Sequence, residues 1–293
     1  MNEPRVSIIV PHYNDLARLD LCLDALGSQT YPAAALEIIV ADNESPAGEA
    51  EVRRVVEGRA TLVTVAERGA GPARNGAVAH ATGDVLAFID ADCVAEPDWI
   101  AQGVEALGRG DLVGGQVRVL VRDEAAMSGP EAFERVFAFD FKTYIEKKKF
   151  TGAGNMFCRR EVFETVGGFG KEISEDVEWS RRAQSLGFSL IYEPQAIVGH
   201  PARVTWDELI AKWRRINRET FALSNRMRGG RWSWLARTLA MPLSVLVHLP
   251  VIWSSPKLLA ADQRTRASIT LVRIRLWRMV DGLRLLLLPG KPS

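Results

Sequence analysis

Short apolar runs alternate with helix-like patterns through the first hundred residues of the chain. Strands are predicted at Val6–Val10, Ile38–Ala41, Leu62–Val65 and Val85–Ile89. Helices are predicted at residues 15–27 and 49–57, from Pro72 to about Ala81, and at 97–107. Because the apolar runs lack polar alternation, they are typical of strands covered on both faces, as in a parallel sheet. The pattern predicts an α/β fold with a Rossmann-like, mostly parallel sheet flanked by helices.

The middle of the chain mixes strand and helix patterns. A strand is predicted at Val113–Val121, and helices at 130–147 and at Glu175–Leu186. Between these helices, Phe150–Cys158 is a loop of small residues that enters a strand, and Gly167–Phe169 is a turn. These elements predict that residues 111–200 complete the domain begun by residues 1–110.

The chain changes character after His200. Thr205–Leu223 is predicted to be a basic helix. Leu235–Trp253 is strongly apolar, but its arginine, histidine and two prolines make it marginal for a membrane span, which needs about 20 apolar residues. A span, a re-entrant hairpin and a buried hairpin all stay open for this segment.

Residues 264–288 carry a clearer helical pattern. One stripe of apolar side chains follows helical spacing: Ile269, Val272, Leu276, Met279, Val280, Leu283, Leu286 and Leu287. Six arginines fall off that stripe: Arg264, Arg266, Arg273, Arg275, Arg278 and Arg284. The pattern fits either a helix that docks on its own domain or an amphipathic helix that lies in the plane of a membrane. The surplus of arginine favours the membrane helix.

Charge is divided unevenly along the chain. Residues 201–293 hold 17 basic and 5 acidic residues, whereas residues 1–200 hold 20 basic and 31 acidic residues. A basic and apolar region suits an anionic membrane surface better than nucleic acid, so we expect a membrane partner and no nucleic acid. We therefore predict an α/β domain at 1–200 and a helical, membrane-associating extension at 201–293. The predicted location is the cytoplasmic face of the cell membrane, with peripheral or monotopic attachment.

A pair of carboxylates follows one of the predicted strands. Asp90 and Asp92 come directly after Val85–Ile89, with one residue between them. Such carboxylates suit Mg²⁺ or Mn²⁺, because Mg²⁺ usually takes one or two carboxylates together with substrate phosphates. Polar residues also end two earlier strands, at 11–14 and 42–45. Because open α/β sheets bind ligands at the carboxyl ends of their strands, these groups predict one shared ligand edge.

Taken in order, these segments resemble the family 2 glycosyltransferases, which have the GT-A fold. The resemblance covers roughly residues 5–200 and rests on six segments in the family's order and spacing. They are Ser7–Asn14, Ile39–Ser45, Gly71–Gly76, the Asp90-Ala-Asp92 triplet, Thr151–Asn155 with Gly167–Phe169, and Glu175-Asp176. The resemblance implies inverting transfer of a sugar from a nucleotide-sugar donor, with UDP as the default nucleotide. Together with the basic C-terminal region, it implies a lipid or lipid-linked acceptor.

The resemblance also implies roles on the donor side. The donor nucleotide would contact Pro11, Tyr13, Asn14, Asp42, Arg74 and Asp90. Asp92 would bind the Mn²⁺ or Mg²⁺ ion directly, with Asp90 near the ribose or the metal. His200 is either a third ligand of the metal or diphosphate, or a plain loop histidine. Structural alternatives are strand-end packing for Pro11, a turn for Asp42 and a surface position for Arg74.

Inversion requires a base that takes the proton from the acceptor hydroxyl as its oxygen attacks the anomeric carbon. The resemblance implies Asp176 as this base, although a carboxylate in the first turn of a helix is also favoured by the helix dipole. Glu175 would support the start of that helix or bind the acceptor. Asn155 and Trp179 are predicted on the acceptor side, with core packing as the alternative for Trp179.

Two other classes of function fit parts of the pattern. A sugar nucleotidyltransferase also combines an α/β sheet with metal carboxylates, but it usually has a glycine-rich loop where residues 12–15 contain no glycine. A non-catalytic membrane scaffold would not need both carboxylate pairs. The Gln-x-x-Arg-Trp motif of processive family members is missing, because Arg231-Trp232 follows Arg228-Gly-Gly. This favours transfer of single sugars. The oligomeric state stays unknown.

Overall fold

The computed structural model describes residues 3–171, 174–225 and 228–287. The chain divides into two compact units, which we describe separately. The first unit contains the residues up to Arg118 and Phe139–His200, and the second contains Val119–Ala138 and the residues from Pro201 onward. The predicted division at residue 200 differs from this one in residues 119–138.

The described elements follow the predicted order closely. The strands are β1 (Val6–His12), β2 (Leu36–Asp42), β3 (Thr61–Thr64), β4 (Val85–Ile89), β5 (Val94–Ala95), β6 (Leu112–Leu120), β7 (Asn155–Arg159) and β8 (Leu190–Pro201). The first eight helices are α1 (Leu16–Gly27), α2 (Glu49–Val56), α3 (Ala70–Val78), α4 (Trp99–Ala106), α5 (Gly129–Phe137), α6 (Phe141–Glu146), α7 (Arg160–Val166) and α8 (Glu175–Ser185). They are followed by α9 (Trp206–Asn225), α10 (Gly230–Leu239), α11 (Ser244–Ser254) and α12 (Ala261–Leu287).

The described strands form one sheet in the order β3-β2-β1-β4-β7-β6-β8-β5. β1 is parallel to β2 and to β4, and β2 is parallel to β3. β7 is antiparallel to β4 and β6, and β5 is antiparallel to β8. The predicted α/β architecture is confirmed. The ends of β1 and β2 are in register, so that His12 lies beside Asp42.

Both faces of the sheet are buried, which explains the uninterrupted apolar runs. In β1, Ile8 and Val10 belong to one hydrophobic core and Ile9 belongs to the other. Helices α1 and α4 contribute Leu19 and Trp99 to the first core. Helices α3, α7 and α8 cover the opposite face. A parallel strand buried on both faces has no solvent side on which polar residues could alternate.

The helix predicted at 130–147 is two helices. Ser128 and Glu131 form a capping box at the start of α5, and α5 ends at Phe137. Phe139 then takes a positive φ of 58°, and the Asp140 side chain accepts a hydrogen bond from the Thr143 amide to begin α6. An aspartate that caps a new helix interrupts an amphipathic pattern which the sequence reads as continuous.

The second unit packs α5, α9, α11 and α12 around a core of its own. Within the described residues, no single helix is long and apolar enough to cross a membrane. Helices α10 and α11 pass that test only as a pair, and they are bent by 56° at the break between them. The segment predicted at Leu235–Trp253 is therefore divided between two helices.

Helix α12 exposes most of the apolar stripe predicted from its sequence. Ile269, Val272, Leu276 and Val280 are exposed, whereas the helix packs through Leu271 and the residues on its side of the helix. The predicted arginine face needs one correction, because Arg278 is only 5% exposed. Residue 288, at the end of the predicted stripe segment, lies outside the described residues.

Candidate active site

A buried arginine joins three parts of the first unit. Arg74 on α3 is 4% exposed, and its Nη2 donates to Asp90 Oδ1 at 2.7 Å. Its Nη1 donates to Glu175 Oε1, the first residue of α8, at 2.6 Å. Burial disfavours the charged form, but Asp90, Glu175 and Asp176 outweigh this effect and raise the pKa of Arg74. The surface position that the sequence left open for Arg74 is wrong.

The turn at Gly167–Phe169 brings α8 to α3. Asn75, next to Arg74, donates from Nδ2 to the Phe169 carbonyl at 2.8 Å and accepts from the Phe169 amide at 2.8 Å. A Cβ on Gly71 would lie 2.4 Å from the Gly170 carbonyl oxygen, so only glycine permits this approach. The two glycine-containing segments of the sequence therefore fix the distance between Arg74 and Glu175.

Asp176 lies at the start of α8 in a cluster of charges. Its Oδ1 accepts from the Val177 amide at 2.8 Å, and its Oδ2 accepts from the Ala153 amide at 3.4 Å. Burial raises the pKa of Asp176, and Glu175 raises it further, whereas Arg74 opposes them. A carboxylate with a raised pKa is a stronger proton acceptor than an ordinary surface aspartate.

Asp92 and His200 meet beside this cluster. The pairing of β5 with β8 places Val94 against Gly199, and His200 Nε2 then lies 3.2 Å from Asp92 Oδ2. Arg18 Nη1 approaches the same carboxylate oxygen at 3.9 Å. The structure thus brings His200 next to Asp92, and its role as a metal or diphosphate ligand stays a prediction.

The donor set here fits a hard divalent cation. The Asp92 carboxylate is the kind of oxygen ligand that Mn²⁺ and Mg²⁺ prefer, and the His200 imidazole nitrogen converges on it. Across residues 3–171, 174–225 and 228–287, no three His, Cys, Asp or Glu side chains are grouped so that they could hold a metal ion. Asp92 and His200 are thus a pair of candidate ligands, and Mg²⁺ usually takes only one or two carboxylates together with substrate phosphates.

Asp42, whose contact with the donor nucleotide stays a prediction, is hydrogen-bonded to its own neighbours. Its Oδ1 lies 2.8 Å from His12 Nδ1 and accepts from the Ser45 hydroxyl, and its Oδ2 accepts from the Ser45 amide at 3.0 Å. Asp42 is 1% exposed, and its bonds hold the turn that follows β2. His12 is not among the site residues predicted from sequence, because only the register of β1 and β2 places it beside Asp42.

The exposed groups at this end of the sheet are Tyr13 and Asn14. Tyr13 is 55% exposed, and Pro11 before it is half-buried. Asn14 has a positive φ of 62°, and its amide donates to the Ser45 hydroxyl at 2.8 Å. The structure thus leaves Tyr13, Asn14 and part of Pro11 accessible at the edge where a nucleotide is predicted.

The two acceptor residues predicted from sequence lie in the core. Asn155 is fully buried: its Oδ1 accepts from Trp99 Nε1, and its Nδ2 donates to the Gln116 and Ala196 carbonyls. Trp179 is also fully buried, and its Nε1 donates to the Gly167 carbonyl at 2.7 Å. Since neither side chain reaches a surface, their prediction as acceptor contacts is wrong, and both are structural.

Known proteins are similar to this chain over much of its length. The family model for glycosyl transferase family 2 matches residues 7–167. The chain belongs to this family. Glycosyltransferase AglE of Haloferax volcanii is 35% identical over 226 residues, which are 73% of this chain and 72% of the relative. The glucosyl-dolichyl phosphate glucuronosyltransferase of the same organism is 30% identical over 225 residues, which are 67% and 69% of the two chains.

A solved structure extends the likeness to the fold. The mannosyltransferase PcManGT of Pyrobaculum calidifontis, in complex with GDP-Man and Mn²⁺, aligns with a TM-score of 0.64 at 21% identity. The alignment covers 99% of this chain and 89% of that one. This family 2 glycosyltransferase therefore has the GT-A fold that its sequence predicts.

The ionised form of Asp176 should destabilise the glycosyltransferase. Because its pKa is raised from 3.8 in the folded state, its contribution to stability is present below that value and is lost as pH rises through the folded-state pKa. Asp176→Asn should therefore raise the melting temperature at pH 7. The gain should shrink as pH falls toward 3.8. Thermal melting across this pH range measures it, and a variant that melts lower than the wild type at pH 7 would contradict it.

Proposed function

We propose that this glycosyltransferase moves a sugar with inversion from a nucleotide-sugar donor to a lipid or lipid-linked acceptor, with Asp176 as the base. The observation that supports this most is the position of Asp176 beside the ion-paired chain of Asp90, Arg74 and Glu175. The chain of charges orients the strand-end carboxylate, while burial keeps Asp176 basic. Together they provide a proton acceptor next to the predicted donor edge.

In the proposed reaction, the acceptor oxygen forms a bond to the anomeric carbon as the bond from that carbon to the diphosphate oxygen breaks. The acceptor proton moves to the Asp176 carboxylate. The electron pair of the broken bond leaves on the nucleoside diphosphate. Attack from the face opposite the leaving group inverts the anomeric carbon, so no covalent enzyme intermediate is needed.

Asp92 and His200 would hold a Mn²⁺ or Mg²⁺ ion, with Asp90 close by. When bound, the cation supplies positive charge against the negative charge that develops on the departing diphosphate. Arg18, whose Nη1 is 3.9 Å from Asp92, adds a second positive group at this place. Arg74 is committed to Asp90 and Glu175, so we assign it to positioning the site.

Tyr13 and Asn14 would receive the nucleotide. An exposed aromatic ring beside a half-buried proline offers an apolar face to a nucleobase. UDP stays the predicted donor nucleotide from the family resemblance. The complex of the structural neighbour with GDP-Man makes a guanosine donor the first competitor to test.

The lipid acceptor and the membrane location are supported by the second unit. Residues 201–293 carry an excess of 12 positive charges, and the apolar stripe of α12 is exposed. One relative is named for a dolichyl phosphate substrate. We propose that the enzyme associates peripherally with the anionic, cytoplasmic face of the cell membrane.

The base is tested by Asp176→Asn, which keeps the shape of the side chain and removes proton acceptance. Turnover should fall about 100- to 10,000-fold with little change in donor affinity, as expected for a group needed only in the transition state. Glu178→Gln, an exposed carboxylate on the same helix, should keep activity. If Asp176→Asn instead loses donor binding and keeps turnover of bound donor, Asp176 is a binding residue.

The metal assignment is tested by Asp92→Asn. We expect turnover to fall about 100-fold or more, because charge stabilisation by a metal ion contributes several kcal/mol. The part of the thermal shift by nucleoside diphosphates that depends on Mn²⁺ should also disappear. Asp98→Asn is the control, since Asp98 is exposed and accepts a bond from Thr30 that asparagine can accept. Full activity of the wild type in EDTA would exclude the metal.

Membrane association is tested by Leu276→Asn on the exposed stripe of α12. Leu276 is 45% exposed, and burial of a leucine in the acyl region favours binding, so affinity for anionic vesicles should fall about tenfold. The loss should persist in high salt, because the apolar contribution is not screened. Leu186→Asn, at a 54% exposed leucine of the first unit, should bind like the wild type. Equal binding of both variants would show that the stripe does not contact lipid.

A further inference from the structure

Three arginines of the second unit lie where α10 packs on α12. Arg237 is on α10, and Arg275 and Arg278 are three residues apart on α12, so the last two share one side of the helix. Arg237 is three residues after Trp234, which contacts Gly282 of α12, and four residues before Met241, which contacts Arg275. Arg237 therefore lies on the side of α10 that packs on α12. Across the described residues of this unit, no carboxylate forms an ion pair with any of the three.

Arg278 is held in place by neutral groups. Its guanidinium lies over the Trp213 ring at 4.0 Å, and its Nε donates to Asn217 Oδ1 at 3.1 Å. Asn217 Nδ2 in turn donates to Asp281 Oδ2 at 2.9 Å, so that an amide links Arg278 to the acidic group. Burial, Arg275 and Arg237 lower the pKa of Arg278 to about 9, and Asp281 opposes them weakly.

Arg275 is also poorly compensated. Its Nη1 lies 3.8 Å from Met241 Sδ, and its Nε is buried without a hydrogen-bond partner. Burial and Arg237 lower the pKa of Arg275. The middle of α10 is fixed against α12 by Trp234, whose Nε1 donates to the Gly282 carbonyl at 3.0 Å. The packing of these helices therefore holds the arginines without a carboxylate in direct contact with them.

Elsewhere in the second unit, the buried charge of Glu134 has partners of opposite charge. Glu134 accepts from Lys212 Nζ at 2.7 Å and from Arg203 Nη1 at 3.0 Å, so that burial is matched by opposite charge. A buried charge that lacks such a partner lowers stability. A group of cations that repel one another, partly shielded from water, is the state expected of an anion site before its ligand binds.

We propose that Arg237, Arg275 and Arg278 bind a phosphate group between α10 and α12. Guanidinium groups present planar donor pairs that match phosphate oxygens, and the bonds formed are charge-assisted. The expected source is the headgroup of an anionic lipid, because Arg275 adjoins Leu276 on the exposed stripe. A helix that buries such a stripe in the acyl region holds its flank at the level of the headgroups. The assignment of the phosphate to a lipid headgroup rests on the proposed membrane association. The proposal that the three arginines bind a phosphate group does not.

The site is tested with the full chain and inorganic phosphate as the probe. Phosphate should raise the melting temperature of the wild type above that in chloride of the same ionic strength. Arg275→Gln should lose this shift and, because it relieves repulsion, should melt at or above the wild type in chloride. Arg284→Gln removes the same charge from an exposed position on the same helix and should keep the shift. A structural role would instead make Arg275→Gln melt lower in chloride, with the phosphate shift unchanged.

Vesicles of phosphatidylcholine with and without phosphatidic acid identify the source. Arg275→Gln should weaken binding to the phosphatidic acid vesicles about tenfold or more, and Arg284→Gln about fivefold or less. A phosphate shift without this difference on vesicles would support a site for soluble phosphate and overturn the lipid source. If Arg237→Gln and Arg275→Gln both keep the phosphate-induced melting shift and the vesicle binding of the wild type, the proposed site is overturned. Each of these results is independent of glycosyl transfer.

Discussion

The arrangement of the active site depends on one buried guanidinium. Arg74, on α3, binds the carboxylate of Asp90 at the end of β4 and that of Glu175 at the start of α8. These two residues lie 16 and 101 positions away along the chain. Removing either carboxylate would leave the buried Arg74 charge less compensated and would therefore lower stability. Glu175 and Asp90 also add to the effect of burial and raise the pKa of Asp176, whereas Arg74 lowers it. The groups that position the start of α8 therefore also influence the basicity of the residue beside it.

The close packing around Arg74 explains why glycine occurs at positions 71 and 154. A Cβ on Gly71 would meet the Gly170 carbonyl, and a Cβ on Gly154 would lie 2.6 Å from Asp90 Oδ2. Both positions are close approaches of backbone to a charged group or to another segment. Side chains there would push apart the groups that Arg74 joins. Gly71 and Gly154 thus leave room for these close approaches, and the ion pairs of Arg74 hold the approaching segments together.

Much of this could be predicted from sequence, because it follows from local pattern. Apolar runs without alternation identify β1 and β4 as strands covered on both faces, and their ends identify one edge. What could not be predicted depends on long-range partners. The sequence shows that Asp42 ends a strand, but only the register of β1 and β2 shows that His12 occupies its carboxylate. Likewise, the sequence does not show that the Asn155 side-chain amide forms three hydrogen bonds within the core.

Helical periodicity fails in a related way for α12. It separates apolar from polar positions, and it assigns every arginine off the stripe to solvent. A helix that presents its apolar stripe outward must pack through its other side, so an arginine on that side becomes buried. Arg278 is such an arginine, and like Arg74 it is a buried cation whose charge needs compensation. In the first unit the chain itself supplies the carboxylates that a buried guanidinium needs. In the second unit it supplies an amide, an aromatic ring and two more cations, and the Asp281 carboxylate is linked to Arg278 only through that amide. A bound anion, as proposed above, would add the direct compensation that Arg278 lacks.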